Sequence, residues 1–313
     1  QQQPRNAFHA PHVLIASVHA QPYDRKSPHR SAALISARSP GGLSFAMDES
    51  SGMLLAIAVG NTRTRIGLFS GDELMESTAV LNSEMDAAAA ECRRLLESRH
   101  GCPVLMSSVN PPVATDLAHR IAADSGTEVL RIRSDVPPPI VHSLDDDSTI
   151  GQDRLLNAVA AFKKAGQAVV VVDCGTAITV DFVDGEGTFH GGIIAPGVNM
   201  MLKALHDQTA ALPPLVFELP DPARGPFGKD TRHAMQLGVM TAAIGTVRYA
   251  VERFAEKYEA YPQIVATGGD AQRLFGEDPI VEHLVPDLQL MGIRESWRFY
   301  LSGETVTEGF EEE

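Results

Sequence analysis

The pattern of apolar and polar residues changes at residue 53. From there on, continuous apolar runs alternate with segments of helical period, which is typical of an α/β protein. In the first half this pattern predicts three strands, then helix, strand, helix and strand. The segments, in order, are LLAIAVG, TRIGLF, LMESTAVL, SEMDAAAAECRRLLESR, PVLMSSV, PPVATDLAHRIAADSG and EVLRIR, with Ser83 as the N-cap of the first helix.

The second half repeats this outline. A helix in QDRLLNAVAAFKKAG leads into the apolar strand AVVVVDCG, and strands follow in AITVDFVD and TFHGGIIAPG. Further helices are predicted in NMMLKALHDQ and from DTRHAMQ to ERFAEKY, and QIVATGGDAQRLF predicts strand, turn and helix. Each half opens with an apolar strand and a turn of small residues, AVGNT at 58–62 and DCGTA at 173–177. The repeat predicts two copies of one domain, over 53–150 and 151–302, with a cleft between them and an acidic tail over 303–313.

Residues 1–52 differ from the rest of the chain. They are rich in Gln, His, Pro, Ser and Arg, and they show no sustained period. Between Gln1 and Met47, five basic residues stand against one acidic residue, Asp24. This composition predicts a largely disordered extension. Some targeting peptides share it, but we favour the simpler interpretation of an over-long start, with initiation at Met47 or Met53.

Composition argues against several classes of function. The chain has 313 residues and a formal net charge of −14, and an acidic surface repels both nucleic acids and anionic membranes. No apolar segment approaches the ~20 residues that a membrane helix needs. The three cysteines, Cys92, Cys102 and Cys174, form no CxxC pair, which favours a reducing compartment. We therefore predict a cytoplasmic protein that binds neither nucleic acid nor membrane.

Turns of small residues indicate a place for phosphate. Asp173 ends an apolar strand, Gly175 would let a phosphate approach the backbone, and Thr176 offers a hydroxyl. Asp181 follows in the next strand, and neighbouring carboxylates suit a cation bound to phosphate oxygens. Two similar turns are Gly60-Asn61-Thr62 and the Gly-Gly turn in 267–271. Each turn alone is equally well explained as a hairpin or a strand-to-helix connection, but three in this order indicate a nucleotide cleft.

A fourth segment, TIGQDRLLNAVAAF, places Asp153 and Arg154 at the start of a helix. A carboxylate can take the proton from an attacking hydroxyl, and an arginine can bind an acid group on a substrate. The structural alternative is a helix-start carboxylate favoured by the helix dipole, next to a surface charge. No histidine metal motif, GxSxG or P-loop sequence occurs, so nothing supports a hydrolase or a P-loop enzyme.

The order of these motifs resembles that of type III pantothenate kinases, a family within the acetate and sugar kinase, heat-shock protein and actin superfamily. The resemblance rests on GNT, GQDR, DCGTAITVD, HGGIIAPG, TAALP, GKDT and TGGDA, and it extends from about Leu54 to near Leu290. It implies an α/β fold of duplicated ribonuclease H-like (actin-like ATPase) domains with a nucleotide cleft between them. It also implies ATP-dependent phosphorylation of pantothenate to 4'-phosphopantothenate, the first step of coenzyme A synthesis. The family acts as a homodimer with pantothenate near the subunit interface.

The resemblance also assigns roles to residues. It implies Asp153 as the general base and Asp173 as the ligand of a monovalent cation, K⁺ or NH₄⁺, beside ATP with Mg²⁺ or another divalent cation. The implied substrate residues are Leu144, Gly151, Gln152, Asp153, Arg154 and Thr231. The predicted ATP-binding residues are Ala58, Val59, Gly60, Asn61, Thr62, Arg63, Thr64, Arg65, Thr176, Gly268 and Gly269.

The chain departs from the family pattern at three positions. Ala58 stands where the family motif DxGNT has its aspartate, which helps to organise the divalent metal. Leu144 stands where an aromatic residue is common. The motif GxNT becomes GKDT, with Asp230 in place of asparagine.

Of these departures, Ala58 bears most on function. We expect its side chain to face the cleft and the lost carboxylate to impair activity, with Asp173 and Asp181 still supplying negative charge. The alternative is a non-catalytic, nucleotide-binding regulator, a pseudokinase like the accessory factors of this family. The intact Asp153-Arg154 pair favours an enzyme, because a protein that only binds nucleotide needs no base.

Overall fold

The computed structural model of the chain describes residues 52–304. Its strands are β1 (Met53–Val59), β2 (Arg63–Ser70), β3 (Glu73–Leu81), β4 (Val104–Ser108), β5 (Val129–Arg131), β6 (Val141–His142), β7 (Val169–Cys174), β8 (Ala177–Val183), β9 (Thr188–Pro196), β10 (Gln263–Thr267) and β11 (His283–Leu284). Its helices are α1 (Met85–Leu96), α2 (Pro111–Ser125), α3 (Gln152–Ala165), α4 (Val198–Asp207), α5 (Thr231–Tyr258), α6 (Ala271–Phe275) and α7 (Leu288–Ser302). The predictions for 1–52 and 303–313 lie almost entirely outside the described residues.

Two sheets repeat one strand order. The first runs β3-β2-β1-β4-β5, and the second runs β11-β10-β7-β8-β9-β6. In each sheet three consecutive strands form an antiparallel meander. Two further strands then join in parallel on the other side of the first of the three. The second sheet gains the short strand β6 beside β9. This repeat confirms the prediction of duplicated ribonuclease H-like domains.

The sheets and helices form alternating layers, because successive side chains of a strand point to opposite faces. In β1, Ile57 and Val59 pack with α1 and α2, whereas Ala56 and Ala58 pack with α3 and α7. The second sheet packs on α3 and α7 through one face and on α4, α5 and α6 through the other. Helices α3 and α7 therefore lie between the two sheets.

Helix α3 contacts both sheets. Leu156 packs with the first sheet, whereas Leu155 and Val159 pack with the second. The helix also runs along α7, which belongs to the second half of the sequence. The first turn of α3 therefore starts at the junction of the two sheets. The domain boundary between residues 150 and 151 stays a prediction.

Two local predictions need correction. Helix α1 begins at Met85 after Glu84 and has no side-chain cap, because Ser83 lies inside a turn closed by Glu84 N and Leu81 O. Helix α7 was not predicted, since the polar residues Glu295 and Ser296 lie on its buried side and blur its apolar period. Strands β6 and β11, which have two residues each, were not predicted either. No helix within residues 52–304 has the length and apolar character needed to cross a membrane.

Candidate active site

The first predicted turn is held in a defined shape. It follows β1 and closes through a hydrogen bond of 3.0 Å from Gly60 N to Arg63 O. Asn82, just after β3, donates from Nδ2 to Gly60 O and Asn61 O at 2.9 and 3.0 Å, and its Oδ1 accepts from the Thr64 hydroxyl. The sequence analysis missed Asn82, because no local pattern links it to a turn so much earlier in the chain.

The second turn meets the first, and the third turn packs against the second. The Thr62 hydroxyl lies 3.2 Å from the Thr176 hydroxyl, and the two residues come from different sheets. Gly268 has a φ of 94° and packs so closely on Asp173 and Cys174 that a side chain there would collide with both. The structure thus brings together three turns that are far apart in sequence.

Three carboxylates lie beside these turns; Asp181 is buried, and Asp153 and Asp173 are half-buried. Asp153 is in the first turn of α3, Asp173 is near the end of β7, and Asp181 is in β8. Burial raises the pKa of each above its ordinary value. The pKa of Asp173 reaches about 6, mainly through burial and further through the charges of Asp153 and Asp181. Negative charge is therefore concentrated where a cation would offset it.

Arg154 neutralises one of these carboxylates. Its Nε lies 3.0 and 3.1 Å from the two oxygens of Asp181, and its Nη2 also donates to Asp181 Oδ1. The guanidinium lies 5.8 Å from the centre of the Phe189 ring. Asp181 therefore orients Arg154 through Nε and Nη2, and the donors on Nη1 can still bind an acid group.

The start of α3 is shaped around Asp153. The Oδ1 of Asp153 accepts a hydrogen bond from Arg154 N at 2.9 Å. Gly151 leaves room for this oxygen, because a Cβ at residue 151 would collide with it. Gln152 accepts at Oε1 from Ser108 N at 3.0 Å. The Gln152 side chain, which we expected at the substrate, therefore ties α3 to β4.

Asn157 is a site residue that the sequence analysis did not single out. It lies one turn after Asp153, is 2% exposed, and donates from Nδ2 to Asp173 Oδ2 at 3.0 Å. Its Oδ1 is buried without a hydrogen-bond partner in the described chain. Such an oxygen is costly, and beside a carboxylate it suits a cation. The available signal was its spacing of one helical turn from Asp153.

Ala58 and Arg65 lie directly opposite each other in β1 and β2, and Ser107 of β4 flanks Ala58 on its other side. Ala58 is 2% exposed and packs among apolar residues between the sheets, so its side chain is covered, whereas we expected it to face the cleft. Arg65 Nη1 donates to Asp287 Oδ1 at 2.9 Å, and Ser77 donates to Asp287 Oδ2 at 3.0 Å. The residue opposite Ala58 is thus a cation that joins the two halves of the chain.

The other predicted ATP-binding residues differ in whether their side chains are buried or exposed. Val59 packs with α1 and α2, and Thr64 is fully buried, so neither presents its side chain to a ligand. Asn61 and Arg63 are exposed, and Gly269 in the third turn is exposed as well. A nucleotide can therefore meet the backbone of this segment but only some of its side chains.

Thr231 lies apart from this constellation. It is the first residue of α5 and is exposed, and no hydrogen bond or ion pair in the described chain joins it to Asp153. The neighbouring Asp230 caps the same helix by accepting from His233 N at 2.8 Å, and it pairs with Arg224. Leu144, in contrast, packs with the apolar cluster that includes residues of α3.

Asp173 gives the metal-free protein a defined pH dependence. Because folding raises its pKa from 3.8 to about 6, the folded chain holds this proton more tightly than the unfolded chain does. Its contribution to the free energy of unfolding is fully present below about pH 4 and is lost as the pH rises through about 6.

We therefore expect Asp173→Asn, which can keep the hydrogen bond to Asn157 without a charge, to be more stable than the wild type at about pH 7.5 by about 2 kcal/mol. Urea denaturation in potassium-free buffer measures this difference. It should shrink at about pH 4.5, and an equal difference at both pH values would contradict the assignment.

Comparisons with known proteins identify the family. A family model described as type III pantothenate kinase matches residues 54–253. The type III pantothenate kinase of Agathobacter rectalis is 32% identical over 256 residues, which cover 79% of this chain and 97% of that protein. The type III pantothenate kinase of Streptomyces griseus is 34% identical over 259 residues, covering 77% of this chain and 96% of that protein.

A solved structure agrees at the level of the fold. It is a protein of Campylobacter jejuni titled as a conserved putative Baf family transcriptional activator, with a TM-score of 0.50 and 18% identity over 80% of this chain and 100% of that chain. At this identity the likeness shows the fold alone. The match to the family model and the identity to these two kinases show that this chain belongs to the type III pantothenate kinase family.

Proposed function

We propose that this chain transfers a phosphoryl group from ATP to the hydroxyl of pantothenate, giving 4'-phosphopantothenate for coenzyme A biosynthesis. The observation that carries this proposal is the position of Asp153. It lies in the first turn of the helix between the two sheets and belongs to one cluster of carboxylates with Asp173, beside the three turns. Family membership indicates the reaction, and its position makes Asp153 the residue that we propose as the base.

Each group of the site has a task in this reaction. ATP supplies the phosphoryl group, and a divalent cation neutralises charge on its phosphate oxygens. Thr62 and Thr176 contact phosphate from the two lobes, and the turn at 268–269 lies against the nucleoside. Asp153 takes the proton of the acceptor hydroxyl, and its raised pKa brings it nearer to neutral pH. Arg154 binds the acid group of pantothenate through Nη1.

The test is a transfer assay with the purified full chain, ATP, magnesium and pantothenate, followed by mass spectrometry of the product. Phosphopantothenate formed in proportion to enzyme supports the proposal. ATP binding without any product would instead support the nucleotide-binding regulator. A cytoplasmic location would suit this reaction, and we retain it as part of the proposal.

A monovalent cation, K⁺ or NH₄⁺, is proposed at Asp173. Its support is the carboxylate with a raised pKa next to the unpartnered Oδ1 of Asn157. One positive charge there offsets the repulsion between carboxylates and phosphate. In the denaturation experiment, potassium should stabilise the wild type more than Asp173→Asn at about pH 7.5. Equal effects of sodium, potassium and choline chloride on both proteins would count against the site.

A homodimer is proposed from the surface around the second sheet. Large apolar side chains are exposed on β9, on α4 and in the segment between α4 and α5; they are Ile194, Met200, Leu205, Val216, Leu219 and Phe227. Single exposed apolar residues are ordinary, but a group on neighbouring elements marks an interaction surface. Thr231 follows this segment, so a partner subunit could bring its Thr231 to the Asp153 of the first.

This arrangement predicts complementation between two inactive variants. If each site combines Asp153 of one subunit with Thr231 of the other, a mixed dimer of Asp153→Asn and Thr231→Ala has one site with both native residues. After refolding together in equal amounts, the mixture should recover about one quarter of wild-type activity, because half of the dimers are mixed. Refolding each variant alone is the control. If the activity of the mixture is no greater than the sum of the two controls, Thr231 acts in the site of its own subunit or in no site.

A further inference from the structure

A pocket of about 300 Å³ lies next to the start of α3, on the side of the first sheet. It is built at the ends of β4 and β5, between α2 and α3. Its polar lining residues are Ser108, Thr115, Arg131, Arg133, Ser134 and Gln152. None of the predicted ATP-binding residues lines it, and Gln152 is the one implied substrate residue that does. The volume is in the range of small-molecule sites.

Arg131 is the unusual group in this pocket. Its Nη1 donates to the sulfur of Met106 at 3.1 Å, and its Nη2 donates to Ala114 O at 3.2 Å. No ion pair of its guanidinium occurs within residues 52–304. Asp135 is the nearby carboxylate, but it accepts from the backbone N of Arg131 at 2.7 Å. Burial lowers the pKa of Arg131 in spite of Asp135.

Asp135 offsets part of the Arg131 charge from a distance, but no carboxylate of the described residues pairs directly with its guanidinium, so an anionic ligand can still gain a charge-assisted contact there. The start of α2 adds to the positive potential of the pocket. Its first turn contains no acidic residue and no side chain caps it; because Pro111 and Pro112 carry no N–H, these two residues contribute electrostatic potential and not hydrogen bonds. Ser108, Thr115 and Ser134 add hydroxyl groups that can bind oxygen atoms. The remaining lining residues are apolar, namely Met106, Pro111, Ala114 and Ile132, so the pocket suits a small molecule that joins an oxyanion group to an apolar part.

The pocket is connected to the catalytic helix through two contacts. Gln152, the residue before Asp153, accepts from Ser108 N and lines the pocket. Arg133 donates from Nη1 to Ile150 O at 3.2 Å and from Nη2 to Asp147 O at 2.9 Å. Arg133 holds a left-handed φ of 74°, which a residue other than glycine rarely adopts. The pocket wall is therefore attached to the segment that positions Asp153.

We propose that this pocket is a second binding site, for a small molecule carrying a phosphate or carboxylate group, with Arg131 as its main anchor. The site is separate from the cleft of the three turns. Its occupant contacts Gln152 and so can change the placement of Asp153. This last step rests on the proposed function, whereas binding of the anion does not.

The test measures inorganic phosphate binding by calorimetry. The full chain is first saturated with magnesium and a non-hydrolysable ATP analogue, so that the phosphate turns are filled. We expect the wild type to bind phosphate, Arg131→Met to bind it at least about tenfold more weakly, and Arg253→Met to bind it like the wild type. Arg253 is the matched control, since it is an exposed arginine on α5 that pairs with Glu256.

Equal phosphate affinity in folded Arg131→Met and wild type would overturn the proposal. If Arg131→Met does not fold, Thr115→Val tests the pocket instead, and unchanged affinity there would overturn it too. Pantothenate is added as a second arm. Displacement of phosphate by pantothenate would show that the pocket holds the acid group of the acceptor and would refute a separate site. Because phosphate binding requires no catalytic turnover, this result can be interpreted even when the kinase assay fails.

Discussion

Replacement of Asp153 by asparagine is expected to lower kcat by about 100-fold or more and to leave ATP affinity nearly unchanged. Asparagine fits the same space at the start of α3 and can still accept from Arg154 N. It cannot take a proton from the acceptor hydroxyl. The loss should therefore fall on the chemical step, and calorimetry with the ATP analogue should give the wild-type dissociation constant.

The pH profile sharpens this test. Asp153 must be ionised to accept a proton, so activity is present above its pKa and falls as the pH drops through it. Because burial raises the pKa of Asp153, this fall should begin at a higher pH than for an exposed aspartate. The residual activity of Asp153→Asn should lack this acid limb. Asp86→Asn is the matched control, because Asp86 is an exposed carboxylate on α1. A kcat within a few-fold of the wild type would remove Asp153 from the mechanism.

Restoring a carboxylate at residue 58 is expected to raise kcat by at least about tenfold, provided that Arg65 is changed as well. An aspartate at residue 58 would lie directly opposite Arg65 in the β1–β2 register. In the Ala58→Asp variant, Arg65 would pair with the new carboxylate and keep it from a divalent cation. We therefore expect the single change to give a smaller gain than Ala58→Asp combined with Arg65→Val.

The measurements are kcat and the magnesium concentration that gives half-maximal rate. The double variant should need less magnesium, because the smaller side chain at residue 65 leaves room for the carboxylate at the covered residue 58 to turn toward the cleft and hold the ion. Arg65→Val alone is the control, and it also removes the contact with Asp287 that joins the two halves of the chain. The double variant should melt below the wild type, since it places a carboxylate among apolar residues and lacks the ion pair between Arg65 and Asp287. If neither the single nor the double variant gains activity, the metal is organised by other groups.

The sequence by itself determined the repeated pattern and the positions of its turns. Continuous apolar runs such as VVVV in β7 and LLAIAV in β1 depend only on local order, so they indicated buried strands directly. The glycine turns at 60 and 268 were readable because few other residues fit such turns. The clear apolar period after GQDR indicated a helix that begins near Asp153, and the family resemblance predicted this residue as the base. The polar residues Glu295 and Ser296 concealed α7, because a period analysis treats buried polar positions as exposed ones.

Contacts between distant segments were decided only by the tertiary structure. The pairing of Arg65 with Asp287, the hold of Asn82 on the first turn, and the pocket beside Arg131 each join residues that no local pattern relates. The burial of Ala58 also depends on a distant segment, because residues of α7 pack with it. Charge and burial at a site depend on such contacts, since both fall off with distance in space and not along the chain. The sequence therefore named the family and predicted Asp153 as the base, whereas the structure decided which charges surround that residue.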